Sequence, residues 1–481
     1  MSDRPHGTNP WRENALFWQR TCRLLGEAEA ARLFCAEENI ARGLTVNTAR
    51  LSAADFAAHA PFAVAPGGFA AASFRLLDPQ ARPGTHPWYH AGAYYVQEPS
   101  ASSAAQALDV QPGDRVLDLC AAPGGKSAQL AAALQGRGVL VSNEYDPARS
   151  RILLSNSERM GAPNVVVVND TAQRVADTFA GYFNKVLVDA PCSGEGMFRK
   201  EPQAVAQYSA ALVEHCAALQ AEILEQAARC VAPGGELVYS TCTFSPQEDE
   251  GQIGAFLARH PEFALQPTGL TGGCPGHESH CVNGPVDVSL VRRIYPCHGG
   301  EGHFVAKLRR EGEGEPLLTL RPQTGAEPLP AGLKAFLQQY FPHAACMADG
   351  VQAQQWKENL LLLPRQPLPS LARLHLVRCG VLAGSMEGTA PAGGRRQSPH
   401  GGRFVPAHHL LHVFGGECAN REELTAEEPR TAAYLRGEEI AAVTAADGWC
   451  AVCVDGMALG LGKVSGGRVK NHYPKGLRNL K

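Results

Sequence analysis

The sequence predicts an α/β protein built on a mostly parallel sheet, with smaller modules on either side. The central part of the chain alternates strand patterns, such as 114–119 and 139–142, with helix patterns of about ten or more residues. One strand pattern is the four-valine run 165–168, which suits a strand buried on both faces. A glycine-bearing loop joins the first of these strands to its helix, as it does in nucleotide-binding folds. We therefore expect right-handed βαβ units whose strands share one carboxyl edge.

Polar side chains stand where the predicted strands end. They are Asp118, Glu144, Asp170, Asp189 and Cys242. Parallel strands bring their carboxyl ends together, so all five should line one edge of the sheet. Carboxylates placed there lose hydration unless a partner replaces the lost water. A ligand rich in hydroxyl and amine groups would be such a partner.

Two cysteines belong to this edge. The segment 186–198 delivers Asp189 and Cys192, and the strand pattern 236–243 delivers Cys242 about fifty residues later. Structural cysteines are usually buried among apolar neighbours, whereas these two stand where apolar runs give way to polar loops. A free thiol is only a few per cent ionised at neutral pH, so a reactive one needs activation by its surroundings. The pattern favours a reactive pair over a packing role.

The loop 121–126 lies between a strand and a helix, where free N–H groups can meet a ligand. Its residues are Ala121, Ala122, Pro123, Gly124, Gly125 and Lys126. Glu144 follows at about the distance at which an acid accepts a ribose hydroxyl in Rossmann-like units. Neither the dinucleotide fingerprint nor a P-loop is complete. An adenosine-bearing cofactor without pyrophosphate is the better prediction, and a tight turn without a ligand is the alternative.

Composition restricts the class of protein. The 481 residues suggest about three domains. A formal net charge of −3 does not decide for or against nucleic acid. Fifteen irregularly spaced cysteines and the absence of an apolar signal region predict a reducing, cytoplasmic location. No apolar run is long enough for a membrane span. The cysteines and histidines between 274 and 298 match no common zinc spacing, and the Cys450–Cys453 pair stands alone, so no metal site is expected.

Three long motifs resemble the Nol/Nop/Sun family of S-adenosyl-L-methionine-dependent RNA cytosine-C5 methyltransferases. They are DLCAAPGGK at 118–126, DAPCSGEGMF at 189–198 and STCTFSPQEDE at 240–250. The N-terminal module and the segment RFVPAHHLL at 403–411 look like the bacterial RsmF branch, which modifies small-subunit ribosomal RNA and carries a C-terminal PUA-like domain. The resemblance implies a Rossmann-like methyltransferase core with an N-terminal α+β module and a C-terminal PUA-like RNA-binding domain.

The resemblance assigns the chemistry to three residues. Cys242 matches the thiol that adds to cytosine C6, Asp189 matches the acid that contacts N3 and the amino group, and Cys192 matches the residue that assists release. DNA cytosine-C5 methyltransferases carry the attacking thiol in a Pro-Cys motif, so Cys192 alone would be taken as the nucleophile. The presence of Cys242 in the STC motif reverses that assignment.

The same resemblance implies S-adenosyl-L-methionine as the cofactor. It places the cofactor against the backbone of 121–125 with Lys126, and it matches Glu144 to the ribose and Asp170 to the adenine. Arg149 matches a basic position near the cofactor, and Asp189 lies beside it.

These motifs divide the chain into four parts. They are an N-terminal helical and α+β RNA-binding module at 1–90, the methyltransferase domain at 91–310, a linker and intermediate domain at 311–404, and the PUA-like domain at 405–481. Thr389–Gly402 is predicted to be a loop. After Asp455 the chain carries cations but no acid. We expect this basic end to contact phosphates, with Tyr473 stacking on a base.

Other functions remain open on the sequence. Within the same class, the substrate could be transfer RNA instead of ribosomal RNA. A non-catalytic RNA-binding assembly factor would keep the cofactor only as a structural ligand, although the intact cysteines and Asp189 argue against it. A dinucleotide oxidoreductase is disfavoured by the missing third glycine. The sequence does not predict the oligomeric state.

Overall fold

The computed structural model describes residues 9–34, 42–313, 329–343, 351–387 and 403–478. The α-helices are α1 (Pro10–Glu13), α2 (Ala15–Leu25), α3 (Glu27–Leu33), α4 (Ala53–His59), α5 (Pro87–His90), α6 (Ser103–Leu108), α7 (Gly125–Leu134), α8 (Pro147–Met160), α9 (Ala172–Thr178), α10 (Pro202–Gln207), α11 (Ala210–Cys230), α12 (Glu250–Arg259), α13 (Ala331–Tyr340), α14 (His408–Phe414) and α15 (Pro429–Arg436). Across the described ranges, no helix has both the length and the apolar composition needed to cross a bilayer.

The strands are β1 (Gly43–Val46), β2 (Val64–Pro66), β3 (Ser73–Leu76), β4 (Tyr94–Val96), β5 (Arg115–Asp118), β6 (Val139–Asn143), β7 (Val165–Val168), β8 (Phe183–Asp189), β9 (Val231–Thr241), β10 (Phe263–Gln266), β11 (Arg292–Ile294), β12 (His303–Arg310), β13 (Ala353–Trp356), β14 (Asn359–Leu362), β15 (Leu376–Cys379), β16 (Val381–Glu387), β17 (Arg403–Pro406), β18 (Arg421–Leu424), β19 (Ile440–Ala441), β20 (Gly448–Val454), β21 (Met457–Ser465) and β22 (Arg468–Asn471).

The central sheet has nine strands. Eight follow the order β10-β12-β9-β8-β5-β6-β7-β15, and β11 pairs with β12 beside them. Strands β9, β8, β5, β6 and β7 run parallel. The remaining strands run antiparallel to their neighbours. Chain order reverses at β5, which lies between β6 and β8, and such a reversal opens a crevice at the carboxyl ends of the strands. The predicted parallel α/β core is confirmed.

Both faces of this sheet are buried under helices. Val166 and Val168 pack in the cluster that contains side chains of α9, α11 and α12. Val165 and Val167 pack on the opposite face with side chains of α6, α7 and α8. Each buried valine contributes on the order of 1.5–3 kcal/mol relative to an exposed one. This two-sided burial explains the uninterrupted apolar run in the sequence.

The N-terminal part forms a small layer beside the core. Strands β2-β3-β1-β4 make an antiparallel sheet, and α4 begins at its cap Ser52, whose side chain accepts from the Asp55 N–H. Phe17 of α2 and Phe34, just after α3, belong to an aromatic cluster that also contains Phe198 and Phe244 of the core. The N-terminal helices are therefore packed onto the loops that follow β8 and β9.

The C-terminal half contributes to three sheets. Strand β15 pairs antiparallel with β7 and extends the central sheet, although it comes from the segment 311–404 that the sequence assigns to a linker and intermediate domain. Strands β13-β14-β16-β17 form a separate sheet of their own. Strands β18-β20-β21-β22-β19 form another, here called the third sheet because it is the third to which the C-terminal half contributes. Most of the predicted linker and the predicted loop Thr389–Gly402 lie outside the described residues.

One expectation about the C-terminal end is wrong. Tyr473 is only 3% exposed. Its hydroxyl lies 3.1 Å from His90 Nδ1 of α5, and its ring packs against His408 and Tyr434. The ring joins the third sheet to the N-terminal part, so it is not available to stack on a base.

Candidate active site

The carboxyl ends of the parallel strands open into one cavity of about 960 Å³. Glu144, Asp170, Asp189, Cys192 and Cys242 all line it. They come from the ends of β6, β7, β8 and β9, so the sheet brings together residues that are up to about a hundred positions apart. The predicted edge therefore exists, and the predicted thiols and acids share it.

Asp118 lies at the same edge but is turned away from the cavity. Its side chain is fully buried, and its Oδ2 accepts a hydrogen bond of 2.7 Å from Ser127 Oγ at the start of α7. Among the described residues, no partner is found for its Oδ1. Burial raises the pKa of Asp118 to about 7, and the bond from Ser127 only partly opposes that rise.

The two thiols lie next to each other. Cys192 Sγ and Cys242 Sγ are 3.3 Å apart. Cys242 directly follows β9, which is paired with β8 on one side and β12 on the other. Cys192 stands in irregular backbone between β8 and a 3₁₀ turn at Glu195–Met197. The hydrogen bond with Cys242 and burial together raise the pKa of Cys192 well above its ordinary value, so Cys192 stays protonated.

Asp189 is held by two donors. Lys126 Nζ donates to its Oδ2 at 2.7 Å, and Ser240 Oγ of β9 donates to its Oδ1 at 2.7 Å. Burial alone would raise the pKa of Asp189, but the Lys126 ammonium, His303 and the bond from Ser240 together outweigh it and hold the pKa below its ordinary value. Lys126, predicted as part of the cofactor loop, thus places its charge on the acid beside the thiols.

The other predicted cofactor residues surround the opposite part of the cavity. Of the loop 121–126, Ala122 lines the cavity wall. Glu144 is 5% exposed, and its Oε1 accepts from the Asp146 N–H at 2.9 Å. Arg149 donates to the Ala122 carbonyl at 2.7 Å and lies 3.5 Å from Glu144 Oε2. Arg149 therefore connects the loop to the acid after β6.

Asp170 is fixed by backbone donors. Its Oδ1 accepts from the Thr171 N–H at 3.0 Å, and its Oδ2 accepts from the His375 N–H at 2.9 Å. His375 immediately precedes β15, so the C-terminal half of the chain helps to position a cavity residue. The sequence gives no local signal of this contact.

The lining suits S-adenosyl-L-methionine. That cofactor carries ribose hydroxyls, an adenine amine and cationic sulfonium and ammonium groups, and the polar wall supplies the carboxylates of Glu144, Asp170 and Asp189. Leu119, Ala122 and other apolar side chains complete the wall. Arg149 is the one lysine or arginine among the described lining residues, and Glu144 already lies beside it. A pyrophosphate would find little positive charge here.

Sequence reasoning missed the groups that hold the cysteine loops. Glu248 accepts from the Ser193 N–H at 2.8 Å and from Ser193 Oγ at 2.5 Å. Ser193 Oγ also lies 2.8 Å from Thr243 Oγ1 in the loop after β9. Both serine and glutamate fall within the motifs around the two cysteines, which was the only available signal. Within the described part of the chain, no three metal-binding side chains converge on a point.

Comparisons with known proteins agree with this geometry. A family model described as 16S rRNA methyltransferase RsmB/F matches residues 105–309. The N-terminal domain of 16S rRNA methyltransferase RsmF matches residues 14–99, and the methyltransferase RsmF PUA domain matches residues 421–479.

Whole-chain relatives cover nearly all of the protein. The ribosomal RNA small subunit methyltransferase F of Cronobacter sakazakii is 31% identical over 451 residues, which are 91% of this chain and 90% of the relative. That of Erwinia tasmaniensis is 28% identical over 96% of both chains. A solved methyltransferase homolog from Pyrococcus horikoshii is 30% identical with a TM-score of 0.56, covering 64% of this chain and 100% of its own. The chain therefore belongs to the family of ribosomal RNA small subunit methyltransferase F proteins.

Proposed function

We propose that the protein methylates C5 of a cytidine in 16S ribosomal RNA, in the cytoplasm, using S-adenosyl-L-methionine. The observation that carries the proposal is the pair of sulfur atoms 3.3 Å apart beside a partly buried carboxylate. The names of the relatives supply the ribosomal substrate. Cytosine C5 is a weak nucleophile, so a thiol must first add to C6, and this requirement explains why a sulfur and an acid share one cavity.

Cys242 is the attacking thiol in this proposal. It follows a strand paired on both sides, so its position relative to Asp189 is fixed by the sheet. Asp189 meets the N3 and amino side of the base and accepts from the amino group, so a nearby cation must offset the negative charge that develops on the ring as the C6–S bond forms. The Lys126 ammonium, 2.7 Å from Asp189, keeps that acid ionised and places a positive charge near the electron-rich ring.

Cys192 serves the release step. The C6 adduct must lose its C5 proton and its C6–S bond to restore the ring. Cys192 is a thiol whose sulfur contacts Cys242, so it can give its proton to the departing Cys242 sulfur. This transfer is concerted with loss of the C5 proton to Cys192, because the C5–H electron pair forms the C5=C6 double bond as the C6–S pair leaves on Cys242. Both residues end as thiols, and the proton that Cys242 lost to solvent on attack is the net proton released.

The cofactor supplies the methyl group to C5. Glu144 would hold its ribose and Asp170 its adenine amine, while the backbone around Ala122 forms the adjoining wall. Arg149 orders this wall through its contacts with Ala122 and Glu144. The target base has to leave its helix to reach the cavity.

The test compares wild type, Cys192→Ala and Cys242→Ala with ribosomal RNA and labelled S-adenosyl-L-methionine. Denaturing gels report protein–RNA adducts, and nucleoside analysis reports 5-methylcytosine. We expect Cys192→Ala to accumulate adduct and Cys242→Ala to give neither adduct nor product. An adduct that requires Cys192 instead would reverse the two roles.

Two further results would change the assignment of substrate or class. Labelling of transfer RNA in preference to ribosomal RNA would keep the chemistry and replace the substrate. Cofactor binding without labelling of any RNA would make the protein a binding factor.

A further inference from the structure

The N-terminal helices reach the loops that carry the two cysteines. Glu195, three residues after Cys192, is fully buried. Its Oε1 and Oε2 accept from Arg20 Nη1 and Nη2 of α2 at 2.8 and 3.0 Å. Trp11 Nε1 of α1 donates to the Glu195 carbonyl at 2.9 Å. A buried, bidentate ion pair therefore joins the N-terminal layer to the Cys192 loop.

The same carboxylate also holds the Cys242 loop. The Phe244 N–H, two residues after Cys242, donates to Glu195 Oε2 at 2.9 Å. The Gly196 N–H donates to the Cys242 carbonyl at 2.8 Å. Burial alone would raise the pKa of Glu195, but Arg20, with smaller contributions from Tyr208 and the Phe244 N–H, outweighs it and keeps the carboxylate ionised. Glu195 thus connects three segments that are distant in sequence.

The two thiols depend on this connection to different degrees. Cys242 follows a central strand whose hydrogen bonds to β8 and β12 fix its backbone. Cys192 lies in irregular backbone, and side-chain bonds hold its loop in place, from Glu248 on one side and from Glu195 on the other. Losing the Arg20 contact should shift Cys192 more than Cys242.

We infer that Arg20 and Glu195 are positioning residues, which set the Cys192 sulfur against the Cys242 adduct for the release step. The inference rests on the proposed function, because it needs Cys192 to act in release. It gives the N-terminal helices a role in catalysis that is separate from RNA binding. Neither residue lines the cavity, so both act through the cysteine loop.

The experiment measures adduct and 5-methylcytosine for Arg20→Ala, Arg20→Lys and Glu195→Gln in the full-length protein. We expect Arg20→Ala to lower kcat about 10-fold and to raise the adduct-to-product ratio at least about five-fold. KM for RNA and cofactor affinity should stay within about two-fold. Arg20→Lys keeps the positive charge but cannot make the two parallel hydrogen bonds of the guanidinium, so it should give an intermediate adduct-to-product ratio.

Arg32→Ala is the matched control. Arg32 lies in α3 of the same layer and pairs with Glu29 at 2.6 Å, but both side chains are exposed, at 63% and 38%. The adduct-to-product ratio of Arg32→Ala should equal that of wild type. If Arg20→Ala proves poorly folded, Glu195→Gln, which preserves shape, carries the test.

The outcomes separate the two proposals. The positioning role would be overturned if the Arg20 and Glu195 variants lost adduct and product in parallel, or if their adduct-to-product ratio stayed at the wild-type value. The proposed function would still stand in that case, provided that Cys192→Ala accumulates adduct. A wild type that makes no 5-methylcytosine would instead remove the proposed function.

Discussion

The Lys126–Asp189 pair shows how a single side chain links the predicted cofactor loop to the proposed catalytic acid. Lys126 is the second residue of α7, which follows the loop after β5, yet its ammonium lies 2.7 Å from Asp189 at the end of β8. The pair is largely buried, with 13% and 28% of the side chains exposed, so the charges are weakly screened. Removing the cation would leave a carboxylate without its main counter-charge.

We therefore expect Lys126→Ala to act on catalysis more than on cofactor binding. Without Lys126, burial raises the pKa of Asp189, so the acid limb of the pH–rate profile moves to higher pH. kcat should fall on the order of 100-fold, while cofactor affinity measured by calorimetry changes less than about three-fold. Lys185→Ala is the control, because Lys185 pairs with Glu236 at 2.6 Å away from the cavity. An equal loss of activity in both variants would contradict the assignment.

Asp118 predicts a pH dependence of stability. Its pKa is about 7 in the folded protein, against 3.8 for an exposed group. Between these values the folded state keeps a proton that the unfolded state has lost, so this group's contribution to stability falls as pH rises and is gone above about 7. The free energy of unfolding of Asp118→Asn should therefore rise relative to that of wild type as pH increases across that range, by about 2–4 kcal/mol. Urea unfolding of both proteins from pH 5 to 8 measures this change. A difference in the free energy of unfolding that stays constant with pH would refute the prediction.

At this scale the sequence predicts the site residues better than their partners. Asp189, Cys192 and Cys242 stand out because each ends a local strand pattern. The ion pair between Arg20 and Glu195 spans 175 positions, and no local pattern encodes such a contact. Tyr473 looks exposed among cations in sequence, yet side chains from three separate elements bury it.

The unexpected element of the fold is β15. It lengthens the central sheet from the C-terminal half, and His375, the residue just before it, donates the N–H that holds Asp170. Strands β5 to β9 could be predicted because helices separate them at regular spacing, whereas the pairing of β15 with β7 joins segments about 200 residues apart. Periodicity identifies a strand but does not identify its partner.

A proline at position 375 tests this contact. His375→Pro removes the N–H that donates to Asp170, and His375→Ala keeps it. Loss of one hydrogen bond to a charged group costs about 1.5–3 kcal/mol, so cofactor affinity should fall at least about ten-fold in the proline variant and stay near wild type in the alanine variant. Calorimetric titration measures both. Equal affinities would show that Asp170 does not depend on β15.

In the whole molecule, the third sheet is anchored to the N-terminal part. Trp88 Nε1 donates to Asp455 Oδ2 at 2.6 Å, and Arg50 donates to the His412 carbonyl at 2.7 Å. His412 Nε2 lies 2.6 Å from the Arg159 carbonyl of the core. The Trp88–Asp455 bond holds the PUA domain, matched at 421–479, against the N-terminal part, and the His412 contacts hold α14 against the N-terminal part and the core. RNA that reached both the PUA domain and the cavity would have to span a distance set by these contacts.

The exposed cations in the third sheet and in the 3₁₀ turn Lys475–Leu477 that follows it should contribute to RNA affinity without selecting sequence. Lys470 and Lys475 are exposed. We expect the double variant Lys470→Ala/Lys475→Ala to reduce the slope of log affinity against log salt concentration by an amount that corresponds to about one to two phosphate contacts. Its affinity for all RNAs should fall by a similar factor. Fluorescence anisotropy at several salt concentrations measures the slope. Arg436→Ala, whose arginine pairs with Glu438, is the control, and an unchanged slope in the double variant would place the RNA elsewhere.

The position of β15 in the chain also affects how the protein is made. A ribosome finishes β7 about 200 residues before it finishes β15, which at about 5–20 residues per second is roughly 10–40 s. During that interval the outer edge of β7 has no pairing partner, and an open strand edge can pair with other chains. Slow translation of the middle of the chain would prolong this exposure, so we expect the β7 edge to stay open to wrong partners until β15 has been made.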